Sequence, residues 1–173
     1  MIVSSLRAVR RFSVEVTTPA SPNAVYRLLA DAPSWARWAG PLITRAAWET
    51  EPRADATGGV RRLGRPPFMV REEVVVAEPP HRYAYRLLSG QPVRSYNVDV
   101  RITPVSGSAD QLPETGDDGR TRIVWTGLVV ALMPGTGWLL QRLLRRMLGG
   151  FARRLAVAAT TEGAPPDPGW ARL

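Results

Sequence analysis

Between Thr136 and Thr161, Leu139, Leu140, Leu143, Leu144, Met147, Leu148, Phe151 and Leu155 recur at three- and four-residue steps, and Arg142, Arg145, Arg146, Arg153 and Arg154 fall between them. This pattern predicts one long helix with a broad apolar face, and such a face must be buried against another layer. Gly149-Gly150 would bend the helix or let a neighbour approach closely. The question for the rest of the chain is what that layer is.

The preceding residues supply strands. Arg11 to Thr17 alternates, with Phe12, Val14 and Val16 on one face. Ser21 caps a short helix that opens with Pro22 and buries Val25, Leu28 and Leu29. Asp31 to Pro33 ends it. Ser34 is expected to cap a second short turn bearing Trp35 and Trp38, stopped by Gly40-Pro41. Six further strands are predicted at 43–51, 59–65, 69–78, 81–89, 95–104 and 121–131, separated by Gly58-Gly59, Pro66-Pro67, Pro79-Pro80 and Gly90-Gln91-Pro92. The class is α+β: a seven-stranded antiparallel sheet with two short helices after its first strand and one long helix at the end. A sheet curved around that helix leaves a pocket beneath it. The domain is read as 10–162, with an N-terminal extension at 1–9 and a flexible, Pro/Gly-rich C-terminal tail at 163–173. Residues 105–120 are expected to form an exposed acidic hairpin loop.

Composition removes several chemistries. The chain has 173 residues, no cysteine and one histidine, so it has no disulfide, thiol nucleophile, thiolate site or histidine-rich metal cluster. No metal and no cofactor are expected; phosphate-binding glycine loops and dinucleotide fingerprints are missing. No secretory signal is evident in Met1 to Val9, and a cytoplasmic location is expected. The apolar stretch from Val124 to Leu144 is broken by Pro134-Gly135 and carries Gln141 and Arg142, so it reads as a strand end and a helix start. The net charge is +8 and every basic residue is arginine. That field favours anionic partners. Nucleic acid is disfavoured for want of aromatics interleaved with a basic groove. Peripheral contact with an anionic membrane is disfavoured because the long helix should bury its apolar face on the sheet. Nothing in the sequence sets an oligomeric state.

Strand parity nominates the pocket residues. With Arg82 and Arg86 outside, Tyr83, Tyr85 and Leu87 point in. With Asn97, Asp99 and Arg101 outside, Tyr96, Val98, Val100 and Ile102 point in. Arg122 outside leaves Ile123, Trp125 and Gly127 inside. Val70, Glu72, Val74 and Val76 share a face opposite Arg71 and Glu73. Glu72 is then a carboxyl facing an apolar cavity, where a raised pKa suits general acid or base work; the alternative is an ion pair with Arg61. One of Arg61 and Arg62 must point in and find an anion, either Glu72 or a group on a ligand. Tyr83 and Tyr96 are candidates to donate to a carbonyl or enolate, and equally to serve as core. Trp35, Trp38, Tyr85, Val98 and Trp125 are candidate ligand walls. His81, at a turn, is expected to be solvated.

RRFSVEVTTPASPNAVYRLLADAPSWARWAG, GGVRRL, VREEVVVAEPPHRYAYRLLSGQPV, TRIVWTG and the terminal GGFARRLAVAAT, in that order, resemble the START-related superfamily, the polyketide cyclase/dehydrase and lipid-transport family. The resemblance spans roughly residues 10–161. It implies a helix-grip fold around a hydrophobic cavity. The expected function is binding of a small hydrophobic or amphipathic ligand: a lipid, polyketide or aromatic metabolite. The rivals are a polyketide cyclase/dehydratase using Glu72, Tyr83 and Tyr96, and a structural or partner-binding member with a collapsed cavity.

Overall fold

The structure is a computed structural model, and it describes residues 9–105, 119–133 and 135–163. Most of the expected N-terminal extension, the acidic loop and the C-terminal tail lie outside the described residues. The elements run β1 (Arg10–Thr18), α1 (Pro22–Ala30), a 3-10 turn (Ala32–Ser34), α2 (Trp35–Trp38), β2 (Arg45–Thr50), β3 (Val60–Arg65), β4 (Phe68–Glu78), β5 (Arg82–Ser89), β6 (Val93–Val105), β7 (Arg120–Ala131) and α3 (Gly137–Gly163). They form one seven-stranded antiparallel sheet in the order β1-β7-β6-β5-β4-β3-β2. This is the α+β seven-stranded antiparallel arrangement the pattern predicted and the helix-grip class the resemblance implied, with element ends within two residues of expectation.

Local chemistry explains the short helices. The Ser21 hydroxyl accepts from the Ala24 N–H at 3.3 Å and Pro22 opens α1. Ser34 does something other than cap α2. Its hydroxyl sits in contact with two carbonyls, Leu28 at 2.6 Å and Asp31 at 2.8 Å, and accepts from the Trp38 indole at 3.1 Å. It ties the end of α1 to α2 because α2 is a single turn with few N–H groups to satisfy.

The parity reading holds along β5, β6 and β7: Tyr83, Tyr85, Tyr96, Val98, Val100, Ile102, Ile123 and Trp125 are all buried. Gly127 also points in, and it must be glycine, because a Cβ there would stand 2.4 Å from the Phe12 ring. In β4 the reading fails at one residue. A bulge between Val74 and Val76 opposes Val76 to Ala84 and Ala77 to Tyr83. The face therefore flips, and Ala77 rather than Val76 packs on the core.

The long helix departs further from expectation. Its buried stripe is Leu144, Leu148, Phe151, Ala152, Leu155, Ala156 and Ala159. Three alanines in that stripe let α3 lie close to β1, its main sheet contact, with β7 and α1 next. Leu139 and Leu143, expected to be buried, are 56% and 61% exposed. They lie about 180° and 140° round the helix axis from Leu148, so they face away from the sheet. Because α3 sits over the β1 edge, the concave surface of β3 to β6 is not filled by it.

Candidate functional site

Under that uncovered surface lies a buried ion pair. The register sets Arg61 on β3 directly opposite Glu72 on β4. Arg61 is wholly buried and Glu72 nearly so. The Arg61 Nε–H and Nη2–H both donate to Glu72 Oε2, at 3.0 and 2.8 Å. Nη1 donates to the Leu29 carbonyl at 3.4 Å, beside the 2.9 Å bond from the Trp35 indole to the same oxygen. The end of α1 thus presents a carbonyl to a cation, as a helix C-terminus favours. The guanidinium is flanked by the Trp35 ring, 4.2 Å from its centroid, and the Tyr85 ring at 4.3 Å. Aromatic faces attract a desolvated guanidinium. Arg61 is therefore satisfied by protein alone, and it is a structural cation rather than an open anion site.

Glu72 is different. Both bonds from Arg61 end on Oε2, which leaves Oε1 to accept from another donor. Burial pushes its carboxyl above the ordinary carboxylate range, against the pull of Arg61. The carboxyl borders a cavity of about 290 Å³ lined by Trp35, Ile43, Leu63, Val70, Tyr85 and Tyr96 with Met147, Leu148 and Phe151 of α3. Its mouth is formed by Leu42, Phe68, Gly90 and Gln91. Gly90 has φ +102°, and a Cβ there would strike the Met69 carbonyl at 2.2 Å, so glycine lets the β5–β6 turn close against the start of β4. The volume sits at the small end of the roughly 300–1,000 Å³ usual for ligand pockets. The wall is mostly apolar, and the sheet residues with polar groups that line it are Glu72, Tyr85 and Tyr96. The Tyr96 hydroxyl is buried and has no hydrogen-bond partner among the described residues. Burial raises the Tyr83, Tyr85 and Tyr96 phenols above their ordinary value, Tyr85 and Tyr96 well above it.

Of the residues nominated from sequence, Trp35, Glu72, Tyr85 and Tyr96 meet at this cavity, with Arg61 behind Glu72. Four do not line it. Tyr83 is buried edge-on to Tyr26, with ring centroids 6.0 Å apart. Trp125 stands edge-on behind Trp35, also at 6.0 Å. Val98 is core. Trp38 packs on Trp35 at 4.5 Å and lines a more open groove of about 490 Å³ with Arg37, Arg153 and Arg154. Parity reports which face a strand side chain takes, not how deep it lies: Tyr83, Val98 and Trp125 lie in the packed core, and Trp38, on a helix, faces the other groove. Leu42, Ile43, Phe68 and Gln91 were missed because they come from loops and strand ends without a period. Leu63 carried a signal: it shares the face of Arg61. Among the described residues no cluster of acidic, His or Cys side chains is placed to hold a metal ion.

Comparison with known proteins agrees with this arrangement. The family model described as polyketide cyclase/dehydrase and lipid transport matches residues 9–159. The chain belongs to that family. Among solved structures, this polyketide cyclase/dehydrase family member is similar to a START superfamily protein from Mycobacterium smegmatis, with a TM-score of 0.70 at 16% identity over 88% of this chain and 98% of that one. It is also similar to the protein XoxI from Bacillus cereus, with a TM-score of 0.65 at 16% identity over 90% and 99% of the two chains. The di-domain ARO/CYC protein BexL matches with a TM-score of 0.66 at 18% identity over 95% of this chain, which spans 53% of BexL. Identities this low show the shared fold. No curated protein matches the chain.

Proposed function

We propose that this protein binds a small apolar or amphipathic molecule in the cavity between β3–β6 and α3. The observation that carries the reading is that one mostly apolar cavity is lined by both Glu72, whose Oε2 takes both Arg61 bonds, and Tyr96, whose buried hydroxyl has no partner among the described residues. A buried hydroxyl without a partner costs about 1–3 kcal/mol. A ligand carbonyl would relieve Tyr96, and a ligand hydroxyl or N–H would meet Oε1. Burial of the ligand's apolar surface, at about 25 cal/mol per Å², drives entry. Trp35, Tyr85 and Phe151 supply flat walls for a ring or an acyl segment. Val98, Tyr83 and Trp125 set the shape of that wall from behind. A cytoplasmic setting belongs to the same proposal and fits a cysteine-free chain. The test is native mass spectrometry of the protein taken from its own host. A bound small molecule that is absent from a Leu63→Trp variant, in which the indole fills the cavity, supports the reading. An unliganded protein that also ignores aromatic and acyl probes overturns it.

One observation favours a second reading. A carboxyl raised by burial, on a residue that lines an apolar cavity, is suited to move a proton. In a cyclase or dehydratase, Glu72 would exchange a proton with a poly-carbonyl chain and Tyr96 would donate to the enolate oxygen. Glu72→Gln would then lower turnover far more than affinity. Equal losses would leave only the binding role.

A further inference from the structure

Most of the exposed large apolar side chains among the described residues lie at one end of the sheet. The register fixes that end. Arg65 pairs with Phe68 across the β3–β4 turn, Arg71 with Ser89 near the β5–β6 turn, Val93 with Ala131, and Arg10 with Val129. The Thr44 N–H donates to the Gly64 carbonyl, which brings the α2–β2 loop to the same end. Gln141 of α3 donates to the Arg11 carbonyl at 2.7 Å, which brings the first turns of α3 there too. On these segments Phe68 is 82% exposed, Met133 64%, Trp138 61%, Leu143 61%, Leu139 56% and Leu42 52%. Exposed apolar groups scattered singly need no explanation, but an accumulation at one end does.

Charge divides the molecule in the same way. In residues 9–12, 39–46, 63–70, 87–96, 127–133 and 135–147, every charged residue is an arginine. Arg65, Arg94, Arg142 and Arg146 are exposed and make no ion pair among the described residues. On the outer face of the sheet four arginines are paired, Arg71 with Glu49, Arg86 with Glu73, Arg82 with Asp99 and Arg122 with Glu15, while Arg62 opposite Arg71 has no ion pair among the described residues. Val105 and Arg120, which flank the acidic stretch in sequence, pair at the opposite end of the sheet.

We propose that this end docks on the surface of an anionic lipid bilayer, with Phe68, Trp138, Leu139 and Leu143 entering the headgroup region and the unpaired arginines meeting lipid phosphates. Long arginine stems can lie along apolar surface while the guanidinium reaches the headgroups, and an indole suits the interface. A basic, acid-free rim around exposed apolar groups is the composition interfacial binding uses. The sequence pattern alone argued the other way, because it buried Leu139 and Leu143. Leu42 and Phe68 also rim the cavity, so a ligand from the bilayer would enter without crossing water. The docking itself does not depend on what occupies the cavity.

The experiment is flotation of the whole chain with phosphatidylcholine vesicles, plain or containing roughly one-third phosphatidylglycerol. Binding is expected only to the anionic vesicles, and added salt should weaken it. Leu139→Glu/Leu143→Glu and Arg142→Glu/Arg146→Glu should each reduce it by about tenfold or more. Val75→Glu, on an exposed residue elsewhere on the sheet, should leave it unchanged, as should the cavity variant Leu63→Trp. Loss of probe binding in Leu63→Trp with vesicle binding intact separates the two proposals. Absence of vesicle binding overturns this one. So does tighter, purely salt-dependent binding to duplex DNA, or a parent dimer that Leu139→Glu/Leu143→Glu merely turns into a monomer.

Discussion

The inner end of the cavity and its mouth are built on opposite principles. Inside, charge is enclosed and matched: Arg61 meets Glu72 and Leu29 between two aromatic faces. At the end of the sheet that carries the mouth, apolar side chains such as Leu42 and Phe68 are exposed, and Arg65, Arg94, Arg142 and Arg146 are exposed without an ion pair among the described residues. A buried charge must be neutralised within the chain. An exposed one at a rim is available to something outside it. The comparison teaches that the pocket's interior is a matter of stability and orientation, and its mouth a matter of encounter.

The largest expected effect breaks the inner end. Arg61→Ala or Glu72→Ala should each destabilise the protein by about 3–5 kcal/mol, since the remaining charge is buried alone. Urea unfolding measures it. The double variant Arg61→Met/Glu72→Leu should recover most of the loss, as apolar replacement of a buried pair often does. If the singles are mild, the pair is not enclosed as described.

The next effect is on pH. Burial pushes the Tyr26 phenol up to about 12, with Tyr83 and Glu78 adding to the rise, and the other three tyrosines are raised too. Unfolded tyrosine ionises near 10. The folded state therefore holds its phenolic protons more tightly. Stability from this source is whole below about pH 10 and falls as pH climbs through about 12. Tyrosinate absorbance should appear together with loss of near-ultraviolet circular dichroism. Ionisation of several tyrosines near pH 10 in a folded protein would contradict the burial.

Smaller still is the hydroxyl at the cavity wall. Tyr96→Phe removes an unpartnered O–H and should raise the stability of the unliganded protein by about 1 kcal/mol. Tyr83→Phe should do the same, because its hydroxyl is also buried without a partner. At the mouth, Phe68→Ser should change stability by no more than about 0.5 kcal/mol. A large loss there would mean that Phe68 packs in the fold and is not part of an exposed rim.

Most of the fold was legible because it rests on period. The two-residue repeat of β5 to β7, the caps at Ser21 and Pro22, and the apolar recurrence from Leu144 to Leu155 are local signals that the tertiary structure obeys. What was not legible needs geometry beyond period. The β4 bulge that turns Val76 outward leaves no mark in a run of three valines. Leu139 and Leu143 look like core until the alanines at 152, 156 and 159 fix which side of α3 meets β1. In the site, the Arg61–Glu72 pair could be suspected from parity, yet its closure needs the β3–β4 register. Tyr83 and Tyr96 are indistinguishable in sequence, and only the depth of the rings in front of Tyr83 separates them.

That last distinction offers the sharpest test of the binding account. The parent, Tyr96→Phe and Tyr83→Phe would be titrated with 6-acetyl-2-naphthol, a fluorescent apolar probe carrying one hydroxyl and one carbonyl. The account predicts that Tyr96→Phe weakens binding by about tenfold, or about 1.4 kcal/mol, while Tyr83→Phe binds as the parent does. Equal affinities for all three proteins, or a loss confined to Tyr83→Phe, would contradict it.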